Sequence, residues 1–309
     1  MHKRVRRLAM RFGDAEVAAA LGDPVFIVSA PRSGSTLLFS LLGNSPDIWT
    51  IGGESHVIFQ QFPKLKAADD AFSSGALGAG HADAATAAQI RRFYLASLCN
   101  VRGETTYDRI TSGSPKEGVF VEKTPRNALN IPFLLGIFPT ARFIFLHRDP
   151  RANIASIIEG WQTGIRTGQF VTYRDLPGRP GPWCFLLPPG WQAHAQAPLA
   201  EIAAFQWRAA NEAILDTLPT GRWISLAYED LIADPRTQLR RLCDFCVVAT
   251  GPALDQVAHL PLSASTISAP SPDKWRRFEH EVLDQEAEYR PAEVRLLGLP
   301  GASRGPCPS

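Results

Sequence analysis

Short apolar runs recur along the chain, and a helical pattern follows most of them. VFIVS at 25–29 precedes an apolar-periodic stretch at 35–43, and a second, weaker run lies at 47–51. Residues 119–121 precede a helical pattern at 127–138, RFIFL at 142–146 precedes one at 152–161, and RWISLA at 222–227 precedes one at 235–246. Continuous rather than alternating apolar strands, each followed by a helix, predict a parallel sheet covered on both faces. The expected fold is α/β, with three layers and a central parallel β-sheet flanked by helices.

Two stretches interrupt the alternation. Residues 59–118 are Ala-rich and read as helical, with a Gly/Ala-rich break at 73–80. Residues 164–198 are rich in Gly, Pro and Trp and read as an ordered loop or cap. With no internal repeat and no separating linker, the expectation is a single domain over 1–309 carrying two insertions. These should cover the strand ends, with Trp161, Trp183 and Trp191 as apolar wall of a pocket.

Composition narrows the partners. A net charge of +2 gives no field strong enough to favour nucleic acid or an anionic membrane, so an anion site must be built locally. The five cysteines, at 99, 184, 243, 246 and 307, are odd in number and irregular in spacing, which argues against a disulfide framework. Cys243 and Cys246 fall on one helical pattern with no second pair, and read as buried thiols; no metal is expected. The basic stretch with Lys3, Arg4, Arg6, Arg7 and Arg11 runs into Gly13-Asp14-Ala15-Glu16 instead of an apolar core, unlike a secretory signal. No apolar run approaches the ~20 residues of a membrane span. A cytoplasmic protein, monomeric or homodimeric, is the expectation.

The densest chemistry lies at 25–38. A buried strand ends, the turn Ser29-Ala30-Pro31-Arg32-Ser33-Gly34 follows, and a helix opens at Ser35-Thr36-Leu37. Such a turn aims backbone N–H groups at one spot, and the helix N-terminus adds positive charge. Gly34 admits close approach, Ser33, Ser35 and Thr36 add hydroxyls, and Arg32 adds a bidentate cation. Aligned on the Walker A loop, Ser35 stands where that loop has Lys and Ser29 where it has its first Gly. An ordinary ATPase or kinase is thereby disfavoured. A strand–turn–helix that merely needs small residues remains the alternative.

Pro31-Arg32-Ser33-Gly34-Ser35-Thr36-Leu37 resembles the 5′-phosphosulfate loop of the sulfotransferase family. Arg32 stands where cytosolic members carry Lys, which is more similar to the bacterial and Golgi-type branches, tyrosylprotein sulfotransferases among them. A second run, FIFL followed by His147-Arg148-Asp149-Pro150-Arg151 and Ser156, resembles the family's 3′-phosphate signature. Read alone, Arg148 could equally be a surface ion pair with Asp149 or Glu159. Lys123-Thr124-Pro125 is similar to the Lys-Thr-Pro of bacterial members, in which the Lys contacts the sulfuryl region. Pro125 stands where cytosolic members have their basic His, so another base is required. Glu54, after Gly52-Gly53, resembles the base of Golgi-type enzymes, with His56 as competitor and a structural role for both as the third possibility. Tyr228-Glu229-Asp230-Leu231 resembles the segment whose Tyr borders the adenine. Lys274-Trp275 resembles the element that closes over the nucleotide.

The resemblance runs from about 24 to 278. It implies a P-loop-type sulfotransferase that moves a sulfuryl group from 3′-phosphoadenosine 5′-phosphosulfate (PAPS), releasing adenosine 3′,5′-bisphosphate, to a hydroxyl or amine on a small molecule, glycan, lipid or peptide. Glu54, His56, Arg32 and Lys123 would carry the chemistry. Arg32, Ser33, Gly34, Ser35, Thr36, Leu37, Arg148, Ser156, Tyr228 and Lys274 would hold the donor. The rivals are an atypical P-loop kinase and a nucleotide-binding protein without catalysis.

Overall fold

The structure, a computed structural model, describes residues 3–65, 73–114, 117–250 and 260–299. The first half runs α1 (Lys3–Ala9), α2 (Asp14–Leu21), β1 (Val25–Val28), α3 (Ser35–Leu42), β2 (Ile48–Trp49), α4 (His56–Phe59), α5 (Ala84–Ser97), α6 (Thr106–Thr111), β3 (Val119–Lys123) and α7 (Ile131–Ile137). The second runs β4 (Arg142–His147), α8 (Pro150–Thr167), β5 (Val171–Tyr173), β6 (Trp183–Cys184), α9 (Leu199–Thr217), β7 (Trp223–Ala227), α10 (Tyr228–Ala233), α11 (Pro235–Cys246), α12 (Glu279–Leu283) and α13 (Glu286–Leu297).

Five strands make one sheet in the order β2-β3-β1-β4-β7, all parallel. Period-two alternation divides its residues by size. Phe26, Phe120, Phe143 and Phe145 face one side, under α5, α7, α8 and α9; Phe26 packs 6.1 Å from Phe120 and 5.8 Å from Phe143. Val25, Ile27, Val121, Ile144 and Leu146 face the other, under α3 and α11. The aromatic face carries the thicker layer and the aliphatic face the thinner one, which is the expected three-layer α/β architecture. Cys243 and Cys246 are buried in the aliphatic layer. Residue 307 lies outside the described residues.

Local chemistry shifts the boundaries. Asp149 caps α8 by accepting from Ala152 N at 3.0 Å and Pro150 occupies its first turn, so the helix starts before 152. The single helix expected at 127–138 is two pieces, a 3₁₀ turn at Pro125–Leu129 and then α7. Pro132 lacks an N–H and suits a first turn, so it restarts the helix. Among the described residues no helix is long and apolar enough to cross a membrane.

Candidate functional site

Parallel strands put their carboxyl ends on one edge, the place where open α/β sheets bind ligands. The strand order lays the chemistry out in a row. Glu54 follows β2, Lys123 ends β3, the loop 29–34 follows β1, Arg148 follows β4 and Tyr228 follows β7. A cavity of about 1070 Å³ opens above the row. Arg32, Gly34, Ser35, Thr36, Leu37, Glu54, His56, Arg148, Ser156, Tyr228 and Lys274 all line it.

The loop is pinned from behind. The buried Ser33 hydroxyl lies 2.9 Å from the Ala30 carbonyl and 2.7 Å from Asn153 Oδ1, and Asn153 Nδ2 donates to the Pro31 carbonyl at 2.7 Å. The Ser33 side chain therefore holds the turn against α8 and is absent from the cavity wall. Gly34 has φ +96°, and a Cβ there would sit 2.5 Å from the Tyr228 ring. Only glycine meets both demands.

Arg32 holds a left-handed backbone, φ +65°, although it has a side chain. Its Nη1 donates to the Ser265 carbonyl at 2.7 Å, and its guanidinium lies 5.0 Å over the Phe170 ring. Phe170 stacks on Phe185 at 5.3 Å, and these two also have positive φ, +65° and +62°. Three non-glycine residues in a sparsely populated conformation thus form one column on the cavity wall. Burial holds the Arg32 guanidinium below its ordinary pKa, while Glu159 opposes that shift.

Arg148 Nη1 donates to the Arg32 carbonyl at 3.2 Å, and its guanidinium stacks 4.5 Å over Tyr228. The carboxylates that a surface ion pair would use are engaged elsewhere. Asp149 pairs with Arg151, and Glu159 takes Lys274 at 2.7 Å and the Ser268 hydroxyl. Arg32 Nε and Arg148 Nε are buried with no protein partner. Two orphaned cationic donors beside a glycine-bearing turn fit an anionic ligand, because leaving them unpaired is costly.

At the opposite end of the row, Lys123 Nζ donates to Glu54 Oε1 at 2.9 Å, and His56 Nδ1 lies 3.4 Å from Glu54 Oε2. Burial pushes the Glu54 carboxyl up, but His56 and Lys123 together outweigh it and hold the group down at about 2. Lys123 is buried and reaches the cavity only through Glu54.

Several wall residues were not singled out in the sequence reading, although the 164–198 segment and Lys274-Trp275 were expected over the site. Residues 260–271, together with Lys274 and Trp275, pass over the loop as a strap; its signal was the Ser/Pro-rich SASTISAPSP, which has no hydrophobic period. Phe170, Val171, Phe185 and Leu186 supply the apolar wall from the 164–198 segment. The three tryptophans expected there are instead behind the wall, fully buried and packed edge-to-face, Trp161 5.2 Å and Trp183 5.6 Å from their next neighbour. Flat side chains of that size fill the core beneath the β5–β6 hairpin. Of the described residues in 59–118, none lines this cavity.

A sequence profile described as "Sulfotransferase family" matches residues 24–176 and 187–251. The chain is similar to nodulation protein NoeE of Sinorhizobium fredii, 31% identical over 142 residues, which is 44% of this chain and 31% of that protein. It is also similar to protein-tyrosine sulfotransferase 1 of Danio rerio, 29% identical over 157 residues, 49% of this chain and 39% of that one. The chain therefore spans well under half the length of either relative. Among solved structures, its fold resembles a sulfotransferase from Mycobacterium avium, with a TM-score of 0.52 at 17% identity, covering 97% of this chain and 82% of that one.

Proposed function

The chain belongs to the sulfotransferase family, and from that premise we propose that it transfers a sulfuryl group from PAPS to an acceptor hydroxyl or amine, with Glu54 as the proton acceptor. The observation that carries this reading is the row along one strand edge, with a carboxylate at the β2 end and two orphaned guanidinium donors further along it, after β1 and β4. The described residues offer no cluster of His, Cys, Asp or Glu that would hold a metal. In this reading one domain houses the whole reaction. Arg148 and Ser156 hold the 3′-phosphate, Tyr228 borders the adenine, and the turn amides with Arg32 hold the 5′-phosphosulfate.

The reaction balances as an in-line exchange. The acceptor oxygen bonds to sulfur as its proton passes to Glu54, and the bond from sulfur to the bridging phosphate oxygen breaks. The electron pair leaves on adenosine 3′,5′-bisphosphate. Lys123 and Arg32 offset the charge that grows on the bridging oxygen.

A carboxyl held near 2 is ionised but weakly basic. His56 and the Lys123 ammonium together depress it, and Lys123 is the group the leaving oxygen attracts. When Lys123 turns from Glu54 toward that oxygen, Glu54 loses one of the two partners that depress it and becomes the better base. The contact between Glu54 and His56 favours a second reading, with His56 as base and Glu54 orienting its ring.

Turnover of labelled PAPS with a panel of acceptors tests the proposal. Glu54→Gln should cut turnover on the order of 10²–10⁴-fold, the span for losing a general base, with bisphosphate binding kept. Collapse in His56→Asn with Glu54→Gln near wild type would reverse the roles. Full activity in both would remove the base from the mechanism.

A further inference from the structure

Directly beneath Glu54 lies a second carboxylate that the proposed reaction does not use. Glu122 is fully buried on β3, next to Lys123. Its Oε1 accepts the Ser55 N–H at 3.2 Å and the Thr124 hydroxyl, and its Oε2 accepts Asn127 Nδ2 at 2.8 Å. Thr124 Oγ1 also accepts the Ser55 N–H, at 2.8 Å. A buried carboxylate normally faces a cation; this one is spent on hydrogen bonds, chiefly around one backbone amide.

That amide belongs to the residue between Glu54 and His56. The chain reaches it through Gly52 and Gly53, a stretch with little conformational preference of its own. Neighbouring residues at the end of β3 grip neighbouring residues of this turn. Lys123 takes the Glu54 carboxylate and Glu122 takes the Ser55 N–H. Side-chain alternation along a strand explains how one strand end does both, with one residue aimed at the cavity side and its neighbour into the core.

Resting on the reading of Glu54 as base, we propose that Glu122 is a positioning residue that fixes the 52–56 turn, so that Glu54 meets Lys123 and faces the acceptor side of the cavity. A hydrogen-bond acceptor at 122 is what the turn requires, and charge there is secondary. Burial pushes the Glu122 carboxyl above its ordinary range, consistent with a group used for hydrogen bonding.

The charged and titratable groups that act on the pair are His56 and Lys123 on Glu54, and Tyr94 and Lys123 beside Glu122; Arg32 and Arg126 lie on the wall of the cavity that Glu54 also lines. This set makes the sign of the effect diagnostic. Were Glu122 only a nearby negative charge, its removal would make Glu54 more acidic. Were it the anchor of the turn, its removal would loosen the Glu54–Lys123 contact and make Glu54 less acidic.

The test is carbon-13 NMR titration of labelled glutamate in the full chain, with the Glu54 signal assigned by its loss in Glu54→Gln. Wild type and Glu122→Gln, which keeps an acceptor, should hold Glu54 ionised down to the lowest pH at which the fold persists. Glu122→Ala should bring Glu54 back toward an ordinary carboxyl, near 4.3, with the thermal shift given by adenosine 3′,5′-bisphosphate unchanged. Should Glu122→Ala fail to fold, Thr124→Val removes the other acceptor of the Ser55 N–H, and a smaller upward shift is expected. In turnover, Glu122→Ala should lose on the order of a hundredfold, as for small misplacements of reacting groups. The pair Glu122→Ala with Glu54→Gln should be no slower than Glu54→Gln alone.

A Glu54 titration that stays put or moves down in Glu122→Ala, or in Thr124→Val where that variant stands in, would overturn the proposal. So would losses that multiply in the double variant. The titration does not depend on whether Glu54 is the base, which Glu54→Gln turnover tests by itself; the double-variant comparison applies where that turnover falls.

Discussion

The two ends of the cavity are built by different means. The floor at β1, β4 and β7 is strand-end chemistry: a turn and a helix start from one contiguous segment, Arg148 from the next strand and Tyr228 from the last. The opposite wall is assembled from distant pieces, Phe170 and Phe185 of the β5–β6 region and the 260–271 strap. It is held by ring stacking and by backbone in the left-handed region. The floor's geometry follows from local sequence. The wall's geometry exists only once the chain has folded.

The sharpest way to break the floor is Gly34→Ala. A side chain at φ +96° strains the backbone and meets the Tyr228 ring. The strain alone is about 1–2 kcal/mol, so affinity for adenosine 3′,5′-bisphosphate should fall at least about tenfold. Isothermal titration reads this, and unchanged affinity would mean the turn does not cradle the ligand. Phe185→Ala probes the wall instead. Its ring sits so tightly on Gly160 that a Cβ there would come within 2.5 Å. Losing a stacked pair is worth about 0.5–1.5 kcal/mol, so the acceptor KM should rise up to about tenfold with bisphosphate affinity unaltered. A loss shared equally by both ligands would dissolve the distinction between floor and wall.

This difference also explains what the sequence discloses. Apolar runs place every strand of the main sheet, and the turn at 29–34 and Arg148 are legible because each stands next to a strand end, with Ser156 following at a fixed spacing inside α8. Glu54 is legible for the same reason, through its glycine pair. Phe170 and Phe185 are not, because nothing in GQFVT or WCFLL marks a positive φ. The tryptophans misled because large aromatic residues near strand ends suit a core as well as a wall, and here the core took them. Ser33 is legible as part of the turn, but its hydroxyl turning inward to Asn153 depends on α8, which lies 120 positions away.

A smaller effect separates Glu54 from the donor floor by pH. Its carboxyl is depressed to about 2 in the folded chain, so its contribution to stability is complete above the ordinary carboxylate range and is lost as pH falls toward that value. A third of the side chain is exposed, which tempers the size. Urea midpoints should therefore fall more steeply for wild type than for Glu54→Gln between about pH 4.5 and the acid limit. Parallel slopes would show that the contacts of Glu54 with His56 and Lys123 do not hold in solution.

The account rests most heavily on Arg148 reading a 3′-phosphate, and a comparison of two nucleotides tests it directly. Melting temperature is measured with adenosine 3′,5′-bisphosphate and with adenosine 5′-monophosphate, for wild type and Arg148→Ala. A ligand that binds only the folded state raises that temperature according to its affinity. The bisphosphate should stabilise wild type far more than the monophosphate. Arg148→Ala should erase most of the gap, since a charge-assisted hydrogen bond is worth roughly 1.5–3 kcal/mol. Equal shifts from both nucleotides in wild type, or a gap that survives Arg148→Ala, would contradict the account at its foundation.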